Sequence, residues 1–236
     1  DNAPTPAAMG YWRGIDLTAP GSTFDHTVVK YAETGLYARY QPVTVSNSTF
    51  AYCSGAGLDL SESEPGTTMA SNVFYGNEVP VEIRASLDID DSNAFHHPDD
   101  PTVTNAHNAI HVSHNITSAV HWRELEVPYV LGGGTYIRAR LQLAPDVVIK
   151  MKDNAVLTLE EDGYMDSTDF ENAVFTAYSD DTHPAASDTD DGEELAPAAD
   201  YWRGIDLPTN STHDVTDDDD VLTSNDYPDN VLYAAP

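Results

Sequence analysis

The sequence predicts an all-β fold of the solenoid type, in which short strands wind around one axis and each coil covers the next. Three observations support this prediction. A seven-residue segment recurs unchanged far along the chain, short strand-like segments follow one another at intervals of 23 to 29 residues, and the most regular of them alternate apolar and polar side chains. No segment has the apolar spacing of a long amphipathic helix.

The recurring segment is Tyr-Trp-Arg-Gly-Ile-Asp-Leu, found at residues 11–17 and again at residues 201–207. A seven-residue identity that includes Trp is not expected by chance, so the chain holds one repeat of 190 positions and the start of a second. We therefore expect a repeat module at residues 1–178 and an acidic linker or loop at residues 179–200. Residues 201–236 are expected to start a second repeat that packs on or continues the same solenoid.

The first part of the module is predicted to contain short strands separated by tight corners. Residues 23–33 are rich in β-branched and aromatic side chains and are bounded by Gly21 and Gly35, which predicts one strand. Residues 42–47 alternate apolar and polar side chains, and further short strands are expected at residues 50–52 and 58–60.

These segments then repeat at a spacing typical of solenoids. Phe50 is echoed by Phe74 after 24 positions, and Leu58 is echoed by Val81 after 23 positions. The next echo, at residues 110–112, begins 29 positions after Val81. We expect the acidic segment at residues 88–101 to be an insertion at a corner, because it accounts for the surplus length.

The pattern is clearest after Trp122, where strands are expected at residues 129–131, 136–137, 141–143, 147–151 and 156–159. Alternation places Gln142, Lys150 and Thr158 on the outside of the solenoid. The residues expected to face the core are Leu141, Leu143, Ile149, Met151, Leu157 and Leu159.

The composition is strongly acidic. The 236 residues include 40 acidic and 10 basic side chains, which gives a net charge of −30 at pH 7, and only three of the basic residues are Lys. Such a field repels nucleic acid. Because 40% of the residues are apolar, we expect a folded chain whose carboxylate-rich surface is adapted to high salt, with calcium loading as a second explanation. No apolar run approaches the length of a membrane span.

With these segments, the chain resembles the large secreted right-handed parallel β-helix repeat proteins of bacteria and archaea, within the wider pectate-lyase-like class. The likeness is carried by residues 10–17, 24–35, 73–83 and, above all, 122–163. It covers roughly residues 9–175 and resumes at residue 200, although Pro145-Asp146 stands where the family has a Pro-Gly corner. The resemblance implies a right-handed parallel β-helix with long acidic loops at corners. It does not specify an activity, because function lies in sites grafted on a fold.

The recurring segment has two interpretations. Trp12, Trp122 and Trp202 suit stacking on sugars, and the arginines of the segment suit anions. Recurrence in both copies favours a structural role instead, in which Trp closes a coil, Arg pairs with a nearby Asp and Gly permits the corner. The expected structural repeat residues are Tyr11, Trp12, Arg13, Gly14, Tyr201, Trp202, Arg203 and Gly204.

The acidic segment is the candidate metal site. Its Asp-x-Asp-Asp-x-Asn order suits Ca²⁺, which takes six to eight oxygen ligands. No Gly stands in mid-loop and no Glu closes it, so it is not an EF-hand. A solvated loop of a halophile explains the same residues. The candidate calcium ligands are Asp88, Asp90, Asp91, Asn93, Asp99 and Asp100.

Histidine and cysteine offer weaker candidates. Six of the nine His lie between residues 96 and 121, which raises zinc or copper binding as an alternative. His107 and His111 have helical spacing in a region predicted as strand and turn, so they need not share a face. The single cysteine, Cys53, is expected to be a small buried hydrophobic residue. The six histidines are His96, His97, His107, His111, His114 and His121.

The first functional hypothesis is a non-enzymatic extracellular or cell-surface repeat protein of a halophile, structural or adhesive. Its expected partner is a second copy bound head to tail, through open strand edges, or a surface polysaccharide. Sequons at Asn47, Asn115 and Asn210 mildly support an outside location. The alternative is a carbohydrate-active β-helix, either a Ca²⁺-dependent polysaccharide lyase or a sugar-binding module.

A lyase needs carboxylates for the ion and a base that abstracts a proton. Of the seven arginines, only Arg39, Arg84 and Arg123 lie outside the recurring segment and the 138–140 strand. No nucleophile elbow, phosphate-binding loop, dinucleotide fingerprint or zinc-protease motif is present, and this favours the non-enzymatic hypothesis.

Overall fold

The computed structural model describes residues 7–160, 162–165, 173–180, 189, 202–206 and 232–233. Over these ranges the fold is all-β and has no helix, and its parallel sheets stack as a β-solenoid of about seven turns. The prediction of a parallel β-helix is confirmed.

One sheet runs along the whole solenoid and receives one strand from each coil. Its strand pairs are parallel, except that the last strand is antiparallel to its neighbour. Parallel neighbours need a crossover connection, and here the rest of each coil provides it. In spatial order the nine strands are β1 (Ile15–Leu17), β4 (Leu36–Ala38), β7 (Ala56–Leu60), β10 (Val79–Arg84), β11 (Ile110–Ser113), β13 (Tyr129–Leu131), β16 (Val148–Met151), β19 (Val174–Ala177) and β21 (Leu232–Tyr233).

Four shorter parallel sheets of three strands form the other faces. Two of them belong to the N-terminal half: β2 (Ser22–Asp25), β5 (Val43–Ser46) and β8 (Thr68–Ala70) form one, and β3 (Val28–Lys30), β6 (Thr49–Ala51) and β9 (Val73–Tyr75) form the other. The C-terminal half contributes β14 (Gly134–Ile137), β17 (Val156–Leu159) and β20 (Gly204–Asp206), together with β12 (Val120–Trp122), β15 (Arg140–Leu143) and β18 (Tyr164–Met165).

The prediction of one strand over residues 23–33 is wrong, because the chain turns a corner within this segment. β2 ends at Asp25 and β3 begins at Val28, with His26 between them at φ 52°. The same corner recurs in the next two coils at Asn47 (φ 48°) and Ser71 (φ 56°). Composition predicts extended backbone, but it does not mark a single left-handed residue within it.

Stacked aromatic rings fill the core of the N-terminal half. Phe50, Phe74 and Phe95 are fully buried, and their ring centroids lie 5.5 and 5.6 Å apart along the solenoid. Ala94 forms a parallel bridge with Val73. Ala94 and Phe95 therefore belong to a coil, although the sequence analysis placed them in an acidic insertion.

Buried asparagines join the coils at one corner. Oδ1 of Asn77 accepts a hydrogen bond from the backbone N–H of Cys53 at 3.0 Å. Its Nδ2 donates to the carbonyl of Phe50 at 3.0 Å and to Oδ1 of Asn105 at 2.9 Å. These bonds satisfy polar groups that would otherwise be costly to bury. Cys53 is buried beside them, as the sequence predicts.

The predicted inward positions of the C-terminal half are confirmed. Leu141, Leu143, Ile149, Met151, Leu157 and Leu159 are all fully buried. Of the predicted outward residues, Gln142 and Thr158 are partly exposed. Lys150 is fully buried although its neighbours Ile149 and Met151 face the core, so another part of the chain must cover the outside of β16.

The two copies of the recurring segment lie on different faces of the solenoid. In the first copy, β1 opens the nine-stranded sheet and pairs with β4. In the second copy, β20 pairs with β17 in a three-stranded sheet. Trp12 is 40% exposed and Trp202 is 1% exposed. The division into residues 1–178, 179–200 and 201–236 stays a prediction, because most of residues 179–236 lie outside the described ranges.

Candidate functional site

Three titratable side chains form a row on the outer face of the nine-stranded sheet. Asp59 of β7 pairs in register with Glu82 of β10, and Glu82 pairs with His111 of β11. Their chain neighbours, such as Leu58, Leu60, Val81, Ile83 and Ile110, are fully buried in the core. Because successive side chains of a strand point to opposite faces, Asp59, Glu82 and His111 face outward. We call these three residues the outer-row site.

Glu82 is the acid of the site that holds its proton most tightly. Burial raises the pKa of Glu82 above its usual value, and the neighbouring carboxylate of Asp59 raises it further, while Lys152 acts in the opposite direction. Adjacent strands of a sheet lie about 4.8 Å apart, so the two acids are close enough to influence each other. The shift of Glu82 favours its protonated form.

His111 is the neutral base of the site. Burial lowers the pKa of His111 to about 4, and the positive charges of Lys152 and of His107 lower it as well. Its Nε2 is buried and has no hydrogen-bond partner among the residues that the structure describes. A neutral imidazole next to a carboxyl group whose pKa is raised can exchange protons, as general acid–base chemistry requires.

A distant segment covers the row beyond His111. The next in-register positions, Val130, Lys150 and Thr176, are buried. Nζ of Lys150 donates to the carbonyl of Tyr178 at 3.4 Å. The hydroxyl of Tyr178 lies 3.2 Å from Nδ1 of His107. The segment that begins at Tyr178 thus bounds one end of the outer-row site.

Part of the predicted acidic linker belongs to this covering segment. Ser179, Asp180 and Thr189 are buried, and the carbonyl of Thr189 accepts a hydrogen bond from the backbone N–H of Asn108 at 2.8 Å. At these three positions the chain is packed rather than solvated. The other residues of the linker lie outside the described ranges.

A groove of about 450 Å³ lies next to the end of β10, and none of the three outer-row residues lines it. Arg84 is two residues after Glu82 on β10, so it faces the same side of the sheet, and it lines the groove together with Arg123. Nη1 of Arg84 donates to the carbonyl of Ser63 at 2.7 Å. Its Nε is buried without a hydrogen-bond partner in the described part of the chain. The partly exposed Arg84 thus contributes a guanidinium to the lining of the groove.

The other two arginines singled out by the sequence are already paired. Arg123 binds Asp88 with a nitrogen–oxygen distance of 3.1 Å, and this hydrogen bond raises the pKa of the Arg123 guanidinium. Arg39 binds Asp16 at 3.2 Å and lies 4.2 Å from the centroid of the Tyr37 ring. Tyr37 is the in-register neighbour of Asp59. It extends the outer face with an aromatic side chain.

The six candidate calcium ligands have different surroundings in the structure. Asp88 binds Arg123, and Oδ1 of Asp90 accepts a hydrogen bond from the backbone N–H of Ser92 at 3.0 Å. Oδ1 of Asn93 is buried, where it accepts from Asn72 at 3.0 Å. The remaining three candidates, Asp91, Asp99 and Asp100, are exposed.

No group of three or more His, Cys, Asp or Glu with metal-binding geometry occurs within the described residues. Calcium binding by this chain stays a prediction.

The histidines are spread over the surface in separate contacts with acids. His96 lies 3.0 Å from Glu126, His107 lies 3.5 Å from Glu78, and His114 lies 3.4 Å from Glu62. The rings of His107 and His111 are 6.5 Å apart between centroids. The remaining candidates, His97 and His121, lie near Tyr75 and in β12 respectively. This arrangement does not resemble a zinc site, in which the ligands converge on one point.

The surroundings of the recurring segment are compatible with the predicted structural role, which stays a prediction. Gly14 and Gly204 have φ values of 105° and 97°, and a Cβ on Gly14 would lie 1.6 Å from the carbonyl oxygen of Thr34. Arg13 and Arg203 are exposed, and the Asp of the first copy pairs with Arg39. Tyr11 is also exposed, and Tyr201 lies outside the described ranges.

The sequons differ in their surroundings. Asn47 is exposed, and its Nδ2 donates to Asp25 at 2.8 Å. Oδ1 of Asn115 accepts from the backbone N–H of Tyr136 at 3.0 Å. Asn210 lies outside the described ranges.

The sequence analysis missed the outer-row site, although the signal was present. The segments at residues 58–60, 81–83 and 110–112 were recognised as echoes, and each has a polar residue between two apolar ones. Only the register of the strands shows that the three polar residues are neighbours.

Comparison with known proteins gives no relative. No family model, no curated protein and no solved structure matches this chain. Across the described ranges, no helix has the length and apolar character needed to cross a membrane. The function is therefore argued from the site alone.

Proposed function

We propose that this chain is a salt-adapted structural and adhesive β-helix, located at the cell surface or outside the cell, that binds a surface polysaccharide along the outer face of its long sheet. The observation that carries the proposal is the in-register row of Asp59, Glu82 and His111, with Tyr37 at one end and Arg84 beside it.

The chemistry of the row suits hydroxyl groups. The carboxyl groups of Asp59 and Glu82 accept hydrogen bonds, and a neutral His111 both donates and accepts. Arg84, which is partly exposed, adds a guanidinium donor. Tyr37 adds a flat apolar surface with a polar tip, which suits the face of a sugar ring. A sugar chain presents hydroxyls and apolar ring faces in alternation, so it can use each of these groups.

The geometry of the row suits a linear ligand. Tyr37, Asp59, Glu82 and His111 occupy four successive strands of one sheet. At about 4.8 Å between neighbouring strands, the row spans about 15 Å along the solenoid axis. The covering segment at Tyr178 bounds one end. We expect the polysaccharide to lie parallel to the axis and to contact several sugar units.

The surface charge supports a location in salt. With a net charge of −30 and only three Lys, the chain repels itself in dilute buffer, and salt screens this repulsion. The same field disfavours polyanionic partners, so a neutral polysaccharide is the preferred ligand. The exposed sequon at Asn47 is accessible to a glycosylating host.

The test is affinity electrophoresis of the folded chain in molar NaCl through gels that contain mannan, dextran or alginate. We expect at least one neutral polysaccharide to retard the protein. Each of Glu82→Gln, Asp59→Asn and His111→Gln should weaken binding by about tenfold, which corresponds to loss of one or two good hydrogen bonds. Glu124→Gln, which makes the same charge change at an exposed position away from the row, is the matched control. Equal mobility of all variants in every gel would refute the proposal.

A second candidate function is cleavage of the polysaccharide at the same row. It is favoured by the raised pKa of Glu82, because a carboxyl with a raised pKa beside a second carboxyl is typical of acid–base catalysis. In this case Glu82 protonates the leaving oxygen and Asp59 or His111 acts as the base. The assay measures new reducing ends, and ultraviolet absorbance of unsaturated products separates a lyase from a hydrolase. Intact polymer after long incubation, with and without Ca²⁺, excludes this candidate.

A further inference from the structure

The groove next to the end of β10 lies beyond the carboxyl ends of the strands that hold the outer-row site. β7, β10 and β11 each contribute one residue to the outer row. The segments that follow these strands in the chain also contribute to the lining of the groove. These segments are residues 64–70, 84–90 and 117–119. A ligand along the row therefore has the groove on one side.

Arg84 links the outer-row site to the groove. It lies two residues after Glu82 on β10, so the two side chains face the same side of the sheet, and their Cα atoms are about 7 Å apart. Arg84 also lines the groove. A short side group of a ligand on the row can therefore reach into the groove.

The groove has the size of a small-molecule site. Its volume of about 450 Å³ lies within the range of about 300 to 1,000 Å³ that is usual for such sites. Apolar side chains form part of its wall, and they include Pro65, Met69, Leu87 and Ala119. These dimensions suit one small ring with an apolar face, such as a single sugar unit.

The polar groups of the groove suit a ligand with many hydroxyls. Thr68, Thr117 and Ser118 are exposed and line it. Their hydroxyls both donate and accept hydrogen bonds, whereas the guanidinium of Arg84 donates only. Sugar hydroxyls need partners of both kinds, because each of them donates one hydrogen bond and accepts others.

The charges of the groove favour a neutral ligand. The charged side chains of the lining are Arg84, Arg123, Glu64, Asp88 and Asp90. Arg123 is paired with Asp88 at 3.1 Å. Positive and negative groups nearly balance here, although the whole chain has a net charge of −30. A ligand with a net charge of either sign would meet groups that repel it.

We propose that the groove binds a single-sugar branch of a neutral polysaccharide whose main chain lies along the outer row. This inference rests on the proposed function, because the outer row must hold the main chain. It names the class of ligand, which is a neutral polysaccharide with short branches. The main chain runs parallel to the solenoid axis, and the branch points towards the carboxyl ends of β7, β10 and β11.

Affinity electrophoresis in molar NaCl tests the requirement for a branch. The gels contain matched pairs of polymers: galactomannan before and after treatment with α-galactosidase, and arabinoxylan before and after removal of its arabinose. In at least one pair, the branched polymer should bind at least about tenfold more tightly, as the loss of one or two good hydrogen bonds predicts. Equal affinity within both pairs contradicts the requirement.

Two variants locate the branch. Ala119→Trp fills the groove from an exposed position and should reduce the affinity for the branched polymer to that for the debranched one. Ala19→Trp makes the same change at an exposed position outside the groove and should have no effect. Glu82→Gln should weaken the binding of both polymers, because Glu82 contacts the main chain.

Thr68→Val is the second variant and decides the test if Ala119→Trp disturbs the fold. The hydroxyl of Thr68 donates to that of Thr44 at 3.3 Å. Thr44→Val loses the same hydrogen bond at an exposed position outside the groove, so it is the matched control. Thr68→Val should weaken binding of the branched polymer by about fivefold, and Thr44→Val should leave it unchanged.

Binding of free sugars tests the groove without a polymer. Millimolar galactose or arabinose should shift the backbone amide signals of Thr68, Arg84 and Ala119 in nuclear magnetic resonance spectra, and Ala119→Trp should abolish the shifts. Equal binding of branched and debranched polymers, without such shifts, overturns this inference and leaves the proposed function intact. If no polymer binds, the proposed function is refuted, and the absence of amide shifts then refutes the groove as a sugar site as well.

Discussion

Replacing His111 with Gln should reduce the sensitivity of the fold to acid. The pKa of His111 falls from its usual 6.5 to about 4 in the folded chain, mainly because the ring is buried. Between pH 4 and pH 6.5, the His111 imidazole binds a proton in the unfolded chain but stays largely neutral in the folded chain. Stability is therefore undiminished above pH 6.5 and falls as the pH drops towards 4.

The magnitude follows from the two pKa values. At about pH 4.5 the unfolded imidazole is nearly fully protonated and the folded one is mostly neutral, which costs about 2.5 kcal/mol of unfolding free energy. At about pH 7.5 the imidazole is neutral in both states, so its contribution to the pH dependence of the unfolding free energy is close to zero. Gln has no titrating group, so the His111→Gln chain should lose about 2.5 kcal/mol less than the unmodified chain over this interval.

Urea unfolding at both pH values, in molar NaCl, measures the difference. Glu82 works in the opposite direction, because its raised pKa stabilises the fold on acidification, and it lies beside His111, so the comparison is also made with Glu82→Gln in both chains. Nuclear magnetic resonance titration of the imidazoles gives the pKa of His111 directly, with His111→Gln identifying the signal. Equal acid sensitivity of the two chains, or a measured pKa near 6.5, would refute the reasoning.

Three further predictions concern the scaffold. Gly14→Ala should destabilise the fold by more than about 2 kcal/mol, because Gly14 has a positive φ and the added Cβ would clash with the carbonyl of Thr34. The control Gly133→Ala has open space around it and should change the free energy of urea unfolding by less than about 0.5 kcal/mol. Phe74→Ala should cost about 3 to 5 kcal/mol by removing the middle ring of the buried stack, and the exposed Tyr40→Ala should be neutral in the same assay. Molar NaCl should raise the melting temperature, while a gain at submillimolar Ca²⁺ and fixed ionic strength would indicate specific calcium sites.

The solenoid was predictable because its core repeats in the sequence. Apolar residues alternate with polar ones at regular intervals, and residues such as Leu157 and Leu159 are buried as that pattern requires. The corners between the strands were harder to predict from the sequence. His26 takes a left-handed conformation inside a segment whose composition predicts one strand, and although His adopts this conformation more often than most residues, its type alone does not locate the corner.

The candidate site depends on which residues of successive coils are in register, and the sequence gives the length of each coil only approximately. Asp59 and Glu82 are 23 positions apart, whereas Glu82 and His111 are 29 positions apart, yet both pairs are in register. Coil length varies because part of residues 88–101 forms a coil and the rest forms a turn. The spacing along the sequence therefore does not show by itself that Asp59, Glu82 and His111 are in register. Lys150 was placed on the outer side, but its burial depends on the segment at Tyr178, which no local pattern predicts.

The titratable side chains on this surface fall into two groups, one suited to salt adaptation and one suited to a functional site. Exposed carboxylates such as Asp25, Asp90 and Asp100 have lowered pKa values because hydroxyl, amide or backbone N–H groups donate to them, so they favour the charged form and solvate the surface. Glu82 and His111 are instead withdrawn from water on a sheet face, where burial disfavours their charged forms. Burying these two groups costs free energy, and a surface that served only to bind water and salt would gain nothing from it. Paired groups with opposed pKa shifts on one open face are typical of a site that recognises or transforms a ligand.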